Sequence, residues 1–387
     1  MSEPPDPTPD ADPASRSPAP RERLGASCEV CGAPTVWDPD ADALACEHCG
    51  ATRAVPRAAG AVLERPLSDA GDAARGLGLE ARAVRCLTCG ATVVLDEVAT
   101  AAACAFCGSS NVLAQDANRN AIRPESLVPL DVGRAAVEQG FRRWLKRLWL
   151  RPNALRTLRR FEAVGVYVPY WTFDARVHSD WSADSGTYYW DTQLVPVMRN
   201  GRVRMRTRRV RKVRWRPAWG QRDDAYDDLL VNASRAVPDR LAAKLGDFDT
   251  SALVPYRSEY LAGWRAEEYQ LDLEQAWSVG RQRLVAHQER RCAGDVPGDT
   301  HRQLRVTNAI EGVRWKHVLL PMWTLTYRHG GKTYTVLVHG QTGRVHGQAP
   351  LSWVKIALLV LALGLAVLLG LALFGLAQAL GLLLFWR

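Results

Sequence analysis

The longest feature of the hydropathy pattern lies toward the end of the chain. From Ile356 to Trp386 no residue is charged, and Gln378 is the one strongly polar side chain. As a helix rising about 1.5 Å per residue, the run measures roughly 46 Å. That exceeds the ~30 Å hydrocarbon core of a bilayer and is too short to cross it twice. The pattern predicts one tilted transmembrane helix over 353–387. Trp353 with Lys355, and Trp386 with Arg387, bracket it as interfacial anchors do. Upstream, Val137, Phe141, Trp144, Leu145, Leu148 and Trp149 recur on one face of a helix. Asp131 is placed to cap it and Arg151-Pro152 to end it near Trp149. A second amphipathic helix is expected from Asp272 to about Arg290. Elsewhere the pattern is strand-like, with Asn200-Gly201 and Gly330-Gly331 as hairpin turns. Residues 202–208 alternate Arg with Val, Met or Thr, which predicts a strand with one cationic face. The phase slips at Arg209–Lys212 and resumes through Arg216, and a β-bulge there would account for the slip.

Two repeats organise the chain. Val166-Tyr-Val-Pro169-Tyr-Trp171-Thr-Phe173 resembles Val318-Leu-Leu-Pro321-Met-Trp323-Thr-Leu325. Each copy follows an amphipathic helix and precedes a strand-rich stretch. The expectation is a duplicated α+β body over 120–350, with two halves about a pseudo-twofold; the alternative is chance likeness between two apolar strands.

The other repeat is of cysteines. Cys28-x2-Cys31-x14-Cys46-x2-Cys49 recurs as Cys86-x2-Cys89-x14-Cys104-x2-Cys107. A two-residue spacer lets a tight turn aim two thiolates at one ion, and two such knuckles complete a tetrahedral site. Gly32, Gly50, Gly90 and Gly108 follow the second cysteine of each knuckle. There a residue without a side chain lets the turn close. This is the zinc-ribbon pattern, giving ribbons over 25–50 and 83–108. The 51–82 linker between them carries a short helix near Leu67–Leu79, and a disordered tail covers 1–24. Pairs of disulfides are the competing reading. The first twenty residues, rich in Pro and Asp, lack the apolar core of an export signal, so the thiols are expected to stay reduced. With four thiolates each, both sites are closed, which predicts two structural zinc ions that supply folding energy. His48 is expected to be a bystander and Cys292 a free thiol.

The formal charge of the 387 residues is +9. Residues 199–216 hold nine Arg and one Lys with no acid, so the basic character is local. Arg202, Arg204, Arg206, Arg208, Arg211, Lys212, Arg214 and Arg216 are candidate contacts for phosphate, on anionic lipid or on nucleic acid. Trp215, Trp219, Tyr188, Tyr189 and Trp190 could add stacking or interfacial contacts. The plainer reading is a solvated strand face paired with Asp223, Asp224, Asp227 and Asp228.

No catalytic constellation emerges. Gly330-Gly-Lys-Thr333 resembles the end of a phosphate loop, but Thr326 stands where that motif needs glycine. The eight histidines are scattered, and His317, His329, His339 and His346 read as strand and turn residues. Catalytic residues and a small-molecule substrate are therefore not expected.

Further phrases of the body complete a set: Ile122-Arg-Pro-Glu-Ser-Leu-Val-Pro129, Phe141-Arg-Arg-Trp-Leu-Lys146, Gly165-Val-Tyr-Val-Pro-Tyr-Trp-Thr-Phe-Asp174, Tyr260-Leu-Ala-Gly-Trp264 and His339-Gly-Gln-Thr-Gly343. Over about 25–350 the chain resembles an uncharacterised bacterial family of membrane-anchored zinc-ribbon proteins. Its members are often labelled as related to the primosomal helicase or as carrying a transcription-factor-IIB-type ribbon. The resemblance implies the eight cysteines as functional positions and no catalytic residues. Helicase motor motifs are absent from this sequence. The expected function is a non-catalytic adaptor, single-pass in the cytoplasmic membrane through 356–386 like a tail anchor, with its bulk in the cytoplasm. It would bind a protein partner or the membrane surface. A membrane-tethered nucleic-acid binder is the alternative.

Overall fold

The computed structural model describes residues 27–56, 62–76, 82–95, 103–158, 160–199 and 202–385. The expected tail over 1–24, the turn at Asn200-Gly201, the end of the helix expected near Leu67–Leu79, and Trp386 with Arg387 lie outside these residues. Strands β1 (Thr35–Asp38), β2 (Ala43–Cys46) and β3 (Thr52–Arg53) form a small antiparallel sheet in the first cysteine unit. Strand β4 (Arg65–Pro66) and a 3₁₀ turn at Leu67–Asp72 follow, the latter in place of the short helix. The second cysteine unit supplies β5 (Arg82–Cys86), β6 (Thr92–Leu95) and β7 (Val112–Asp116).

The body begins with β8 (Ser126–Leu127), α1 (Arg134–Arg147), β9 (Glu162–Arg199) and β10 (Arg202–Asn232). It continues with α2 (Asp239–Leu245), β11 (Val254–Pro255), β12 (Arg265–Glu267) and α3 (Leu273–Asp295). It ends with β13 (Thr300–His329), β14 (Lys332–His339) and β15 (Val345–Gly347), and α4 (Trp353–Phe385) follows. Twelve strands make one sheet, with the path β11-β8-β13-β9-β12-β6-β5-β7. Gly330 and Gly331, with φ of 57° and 75°, make the β13–β14 hairpin turn as expected.

The duplication is visible bond by bond. β8 runs parallel to β13 with Ser126 beside Val318, and β12 runs parallel to β9 with Arg265 beside Val166. Val166 and Val318 are the same position of the repeat. Ala233 N–H donates to the Pro169 carbonyl, and Gly340 N–H donates to the Pro321 carbonyl, both at 3.0 Å. Each of these residues also accepts from the chain entering a helix. Gly340 takes Asp131 and Val132 N–H, and Ala233 takes Gln270 and Leu271 N–H. The Trp171 indole donates to the Leu271 carbonyl and the Trp323 indole to the Val132 carbonyl, both at 2.9 Å. Each tryptophan thus holds the helix of the opposite half. Both are at most 1 % exposed, as burial of so large an apolar side chain requires a bonded indole N–H.

These bonds correct the first helix boundary. Asp131 and Val132 N–H both donate to Gly340, and α1 starts after them, with Gly133 at the N-cap and no side-chain cap; it stops at Arg147. Val137, Phe141 and Leu145 are buried, whereas Trp149 is outside the helix and exposed. The second helix is capped as expected, Asp272 Oδ1 accepting Gln275 N–H at 2.8 Å, and runs on to Asp295. Cys292 on it is fully buried beside Trp181, Ala183 and Val296.

Both cysteine units are built onto this body. β6 pairs with β12, joining the second unit to the large sheet. Trp37 of the first unit, 2 % exposed, donates its indole N–H to Leu130, its backbone N–H bonds to Ala262, and Trp264 donates to its carbonyl.

β13 begins at Thr300, opposite Gly186, so beyond that point β9 and β10 continue as a two-stranded arm. The pairing there is regular from Arg202↔Arg199 to Tyr226↔Ala175. The expected bulge at Arg209–Lys212 is therefore not there. The irregularity lies between Tyr226 and Leu229, where Asp228 has φ 51°. A two-stranded arm has no layer packed on either face, so burial does not enforce strict alternation of residue type.

Candidate metal centres and cationic arm

All four knuckles close alike. Gly32, Gly50, Gly90 and Gly108 have φ of 73°, 73°, 81° and 67°, and each N–H donates to the carbonyl of its knuckle's first cysteine at 2.8–3.0 Å. Only glycine takes that backbone region at no steric cost. Val30 N–H and Phe106 N–H donate to Cys28 Sγ and Cys104 Sγ at 3.4 Å. The sulfurs meet across knuckles. Cys28–Cys49 and Cys31–Cys46 are 3.5 Å apart, and Cys86–Cys107 and Cys89–Cys104 are 3.6 Å apart. Within each set all four ligand atoms lie within 4.8 Å of one another. Four sulfurs at about 2.3 Å from a tetrahedral zinc stand about 3.8 Å apart, so both sets fit such an ion with little movement. Within each set the thiols are shifted in opposite directions: the N–H of Cys49, foremost, brings the Cys46 thiol down to about 6 and hydrogen bonding from Cys89, foremost, brings Cys104 down to about 5, while Cys31, Cys49, Cys89 and Cys107 are held up. His48 is exposed and outside the cluster.

The sites differ in their surroundings. Thr324 Oγ1 donates to the Ala105 carbonyl at 2.6 Å, and Thr335 Oγ1 donates to Phe106 at 3.0 Å. The 104–107 knuckle is thus seated on β13 and β14, and its Cys86 and Cys104 join a buried cluster with Val166, Val318 and Met322. In the first unit Cys31 and Cys49 stay exposed. Neither threonine is legible as a ribbon contact from spacing, since the bond joins residues far apart in the chain.

Glu64, Asp174 and Asp227 form a third close set of possible ligands. Lys316, 4 % exposed, lies beside it, bonded to Glu64 at 3.1 Å and Asp228 at 2.7 Å. Its ammonium pairs with Glu64 of this set and with Asp228 beside it, while burial pushes the Asp174 carboxyl up to about 6.

The eight predicted cations lie on β10, but on two faces. Arg206, Arg208, Lys212, Arg214 and Arg216 share one face by the period of the strand, and Arg211 lies on the other with Arg209. Arg202 and Arg204 stand in the ladder opposite Arg199 and Val197. Arg211 lies 4.3 Å from the centre of the Tyr188 ring and Arg214 5.3 Å from that of Tyr189. Trp215 is covered by Arg302, and Trp219 is exposed. Among the described residues, the expected pairing of the arginines with the following acids is not found. Asp223 binds His178, Asp224 binds Arg222 and Arg291, and Asp228 binds Lys316. Among the described residues of 206–216, Lys212 alone is in an ion pair, with Asp191.

Over 353–375, α4 presents its apolar side chains to the outside. Its Trp353–Gly375 stretch has mean hydropathy 3.0, none of it is buried, and it is long and apolar enough to cross a membrane. Its root is tied to the body in a way the sequence did not suggest. Lys355, read there as an interfacial anchor, turns back to donate to the carbonyls of Trp149 and Arg151 and to Asn153 Oδ1 at 2.7–2.9 Å.

No family model matches the chain, and no solved structure matches it. The chain is 25 % identical over 250 residues to the uncharacterized protein YdjG of Bacillus subtilis (strain 168), a match covering 61 % of this chain and 66 % of that protein. The chain thus spans just under two thirds of that relative's length. Two four-cysteine clusters suited to a metal ion, a mixed α+β body dominated by sheet, and one candidate membrane helix define what it is physically.

Proposed function

We propose that this chain is a non-catalytic adaptor, tethered to the cytoplasmic membrane by α4, that holds its body on the cytoplasmic side to engage a protein partner or the membrane surface. The carrying observation is how the metal centres are used. Each offers four thiolates, which leave a bound zinc no open position for substrate. The second is clamped by Thr324 and Thr335 as a strut of the large sheet. Zinc would supply folding energy to units too small to fold by apolar burial alone. Lys355 then fixes the tether to the body rather than leaving it on a loose linker.

A second reading, binding of nucleic acid, is favoured by one observation: Arg206, Arg208 and Arg214 on the arm, with Arg216 at its base, are exposed on one face without acid partners among the described residues. Pull-down of the full chain from detergent extracts at low salt, with and without nuclease, separates the two. A protein partner that survives nuclease supports the adaptor. Partners lost on nuclease treatment, with co-purified nucleic acid, would reverse the order.

A further inference from the structure

The two-stranded arm of β9 and β10 is amphipathic. Directly opposed residues of an antiparallel pair lie on the same face. Val203↔Met198, Met205↔Pro196 and Thr207↔Leu194 therefore build one face, and Arg206↔Val195, Arg208↔Gln193 and Lys212↔Tyr189 build the other. On the first face Met198 is 72 % exposed, Val203 65 %, Leu194 64 %, Trp190 63 % and Met205 59 %. So many large apolar side chains, contiguous and open, mark a contact surface. Nearer the body the same face carries Arg209 and Arg211, with Tyr188 and Trp190 opposite Val213 and Arg211. The opposite face carries the cations together with Val195, Val197 and Tyr189, and Asp191, bonded to Lys212, is the one acid of the sequence from 185 to 222.

We propose that this arm lies flat in the headgroup region of an anionic bilayer, its apolar face toward the acyl chains and its arginines on lipid phosphates. The inference rests on the membrane tether proposed above. The charge pattern selects this occupant. A second copy packed on the apolar face would bury Arg209 and Arg211 against their own kind with no acid on that face. Nucleic acid would use the arginines and leave Met198, Val203 and Met205 in water. An anionic lipid surface uses both faces, because arginine stems reach along apolar surface to place their charge at phosphate level. The unpaired strand edges keep the arm out of the hydrocarbon, where nothing would satisfy their N–H and C=O groups, and hold it in the interface. This is the strand counterpart of an interfacial amphipathic helix.

The test uses the full chain reconstituted in vesicles rich in phosphatidylglycerol, with the photoreactive substitution Met198→p-benzoylphenylalanine or Met205→p-benzoylphenylalanine. The expected result is a covalent lipid adduct at both positions, weaker at a Gln193 control on the cationic face. It should drop about tenfold or more when Arg206, Arg208, Arg214 and Arg216 are all changed to Gln, or when the vesicles are pure phosphatidylcholine. Adducts to a second copy of the chain, adducts to added RNA, or no adduct would each overturn the proposal. Sedimentation of the same samples keeps the two readings apart. Protein that stays with the vesicles without an arm adduct sinks the arm proposal alone. Protein that does not stay with them sinks the tether.

Discussion

Val168 and Leu320 face each other across β9 and β13, and they are the same position of the internal repeat. A pair of equivalent residues meeting itself places the pseudo-twofold between them. From there outward the two halves exchange support: the strand of each carries the tryptophan that holds the helix of the other. Trp171→Phe and Trp323→Phe should therefore act alike, although their surroundings differ. Each orphans one helix-leading carbonyl and leaves a small void, costing about 1–3 kcal/mol. Urea titration of the detergent-solubilised chain checks this. A large loss at one tryptophan and none at the other would break the equivalence.

Metal removal should not be symmetric. Cys104 lies within the body core and its knuckle is bonded to Thr324 and Thr335, so Cys104→Ser should lower metal content from two to one per chain and destabilise the body by about 2–4 kcal/mol. Cys31→Ser should lose one metal as well, with a smaller effect on the main transition, since Cys31 is exposed at the edge of its unit. Elemental analysis together with thermal melts reads both quantities.

Two buried titratable groups set opposite pH slopes. Burial pushes Glu267, 3 % exposed, up from 4.5 to about 8, so the folded chain keeps a proton that the unfolded chain releases. Its contribution is full below 4.5 and is lost as pH rises through 8, by up to about 5 kcal/mol. Burial brings His317 down from 6.5 to about 4. The unfolded chain binds that proton first, so stability is full above 6.5 and is lost as pH falls through 4, by up to about 3 kcal/mol. Glu267→Gln should flatten the alkaline side of the stability profile and leave the acid side in place. Denaturant melts across the two windows test it, and an unchanged alkaline slope would show that Glu267 is ionised in the fold.

Lys355→Leu should keep α4 apolar while releasing Trp149, Arg151 and Asn153. Hydrogen exchange in 149–153 is expected to quicken about tenfold, with membrane association unchanged. Loss of association would mean that the lysine places the helix rather than fastening it.

What was legible in the sequence was what depends on short spacing or long uniform runs. The knuckles close within a few residues, α4 is uncharged from Ile356 onward, and Asp272 caps its own helix, so each was readable in place. The likeness of Val166–Phe173 to Val318–Leu325 carried the duplication because both segments fill the same buried positions. The cap assigned to Asp131 was not met: Asp131 and Val132 are both bonded to Gly340, more than two hundred residues away, and the helix begins only after them, at Gly133. The bulge and the acid partners of the arginines failed for a related reason. Both were inferred from neighbours in sequence, while the arm is set by pairing with β9 and by the point at which β13 begins. The seating of the second ribbon on Thr324 and Thr335 has no local signal at all.

The central claim is a body braced by metal and held at a membrane by α4. Alkaline carbonate extraction of membranes from cells making the full chain tests it most directly. The account predicts that the chain stays in the membrane pellet, and that a variant with Leu361, Leu365 and Leu369 changed to Glu is found in the supernatant with both metal ions retained. Release of the unaltered chain by carbonate would contradict the tether and return α4 to the surface of a peripheral protein.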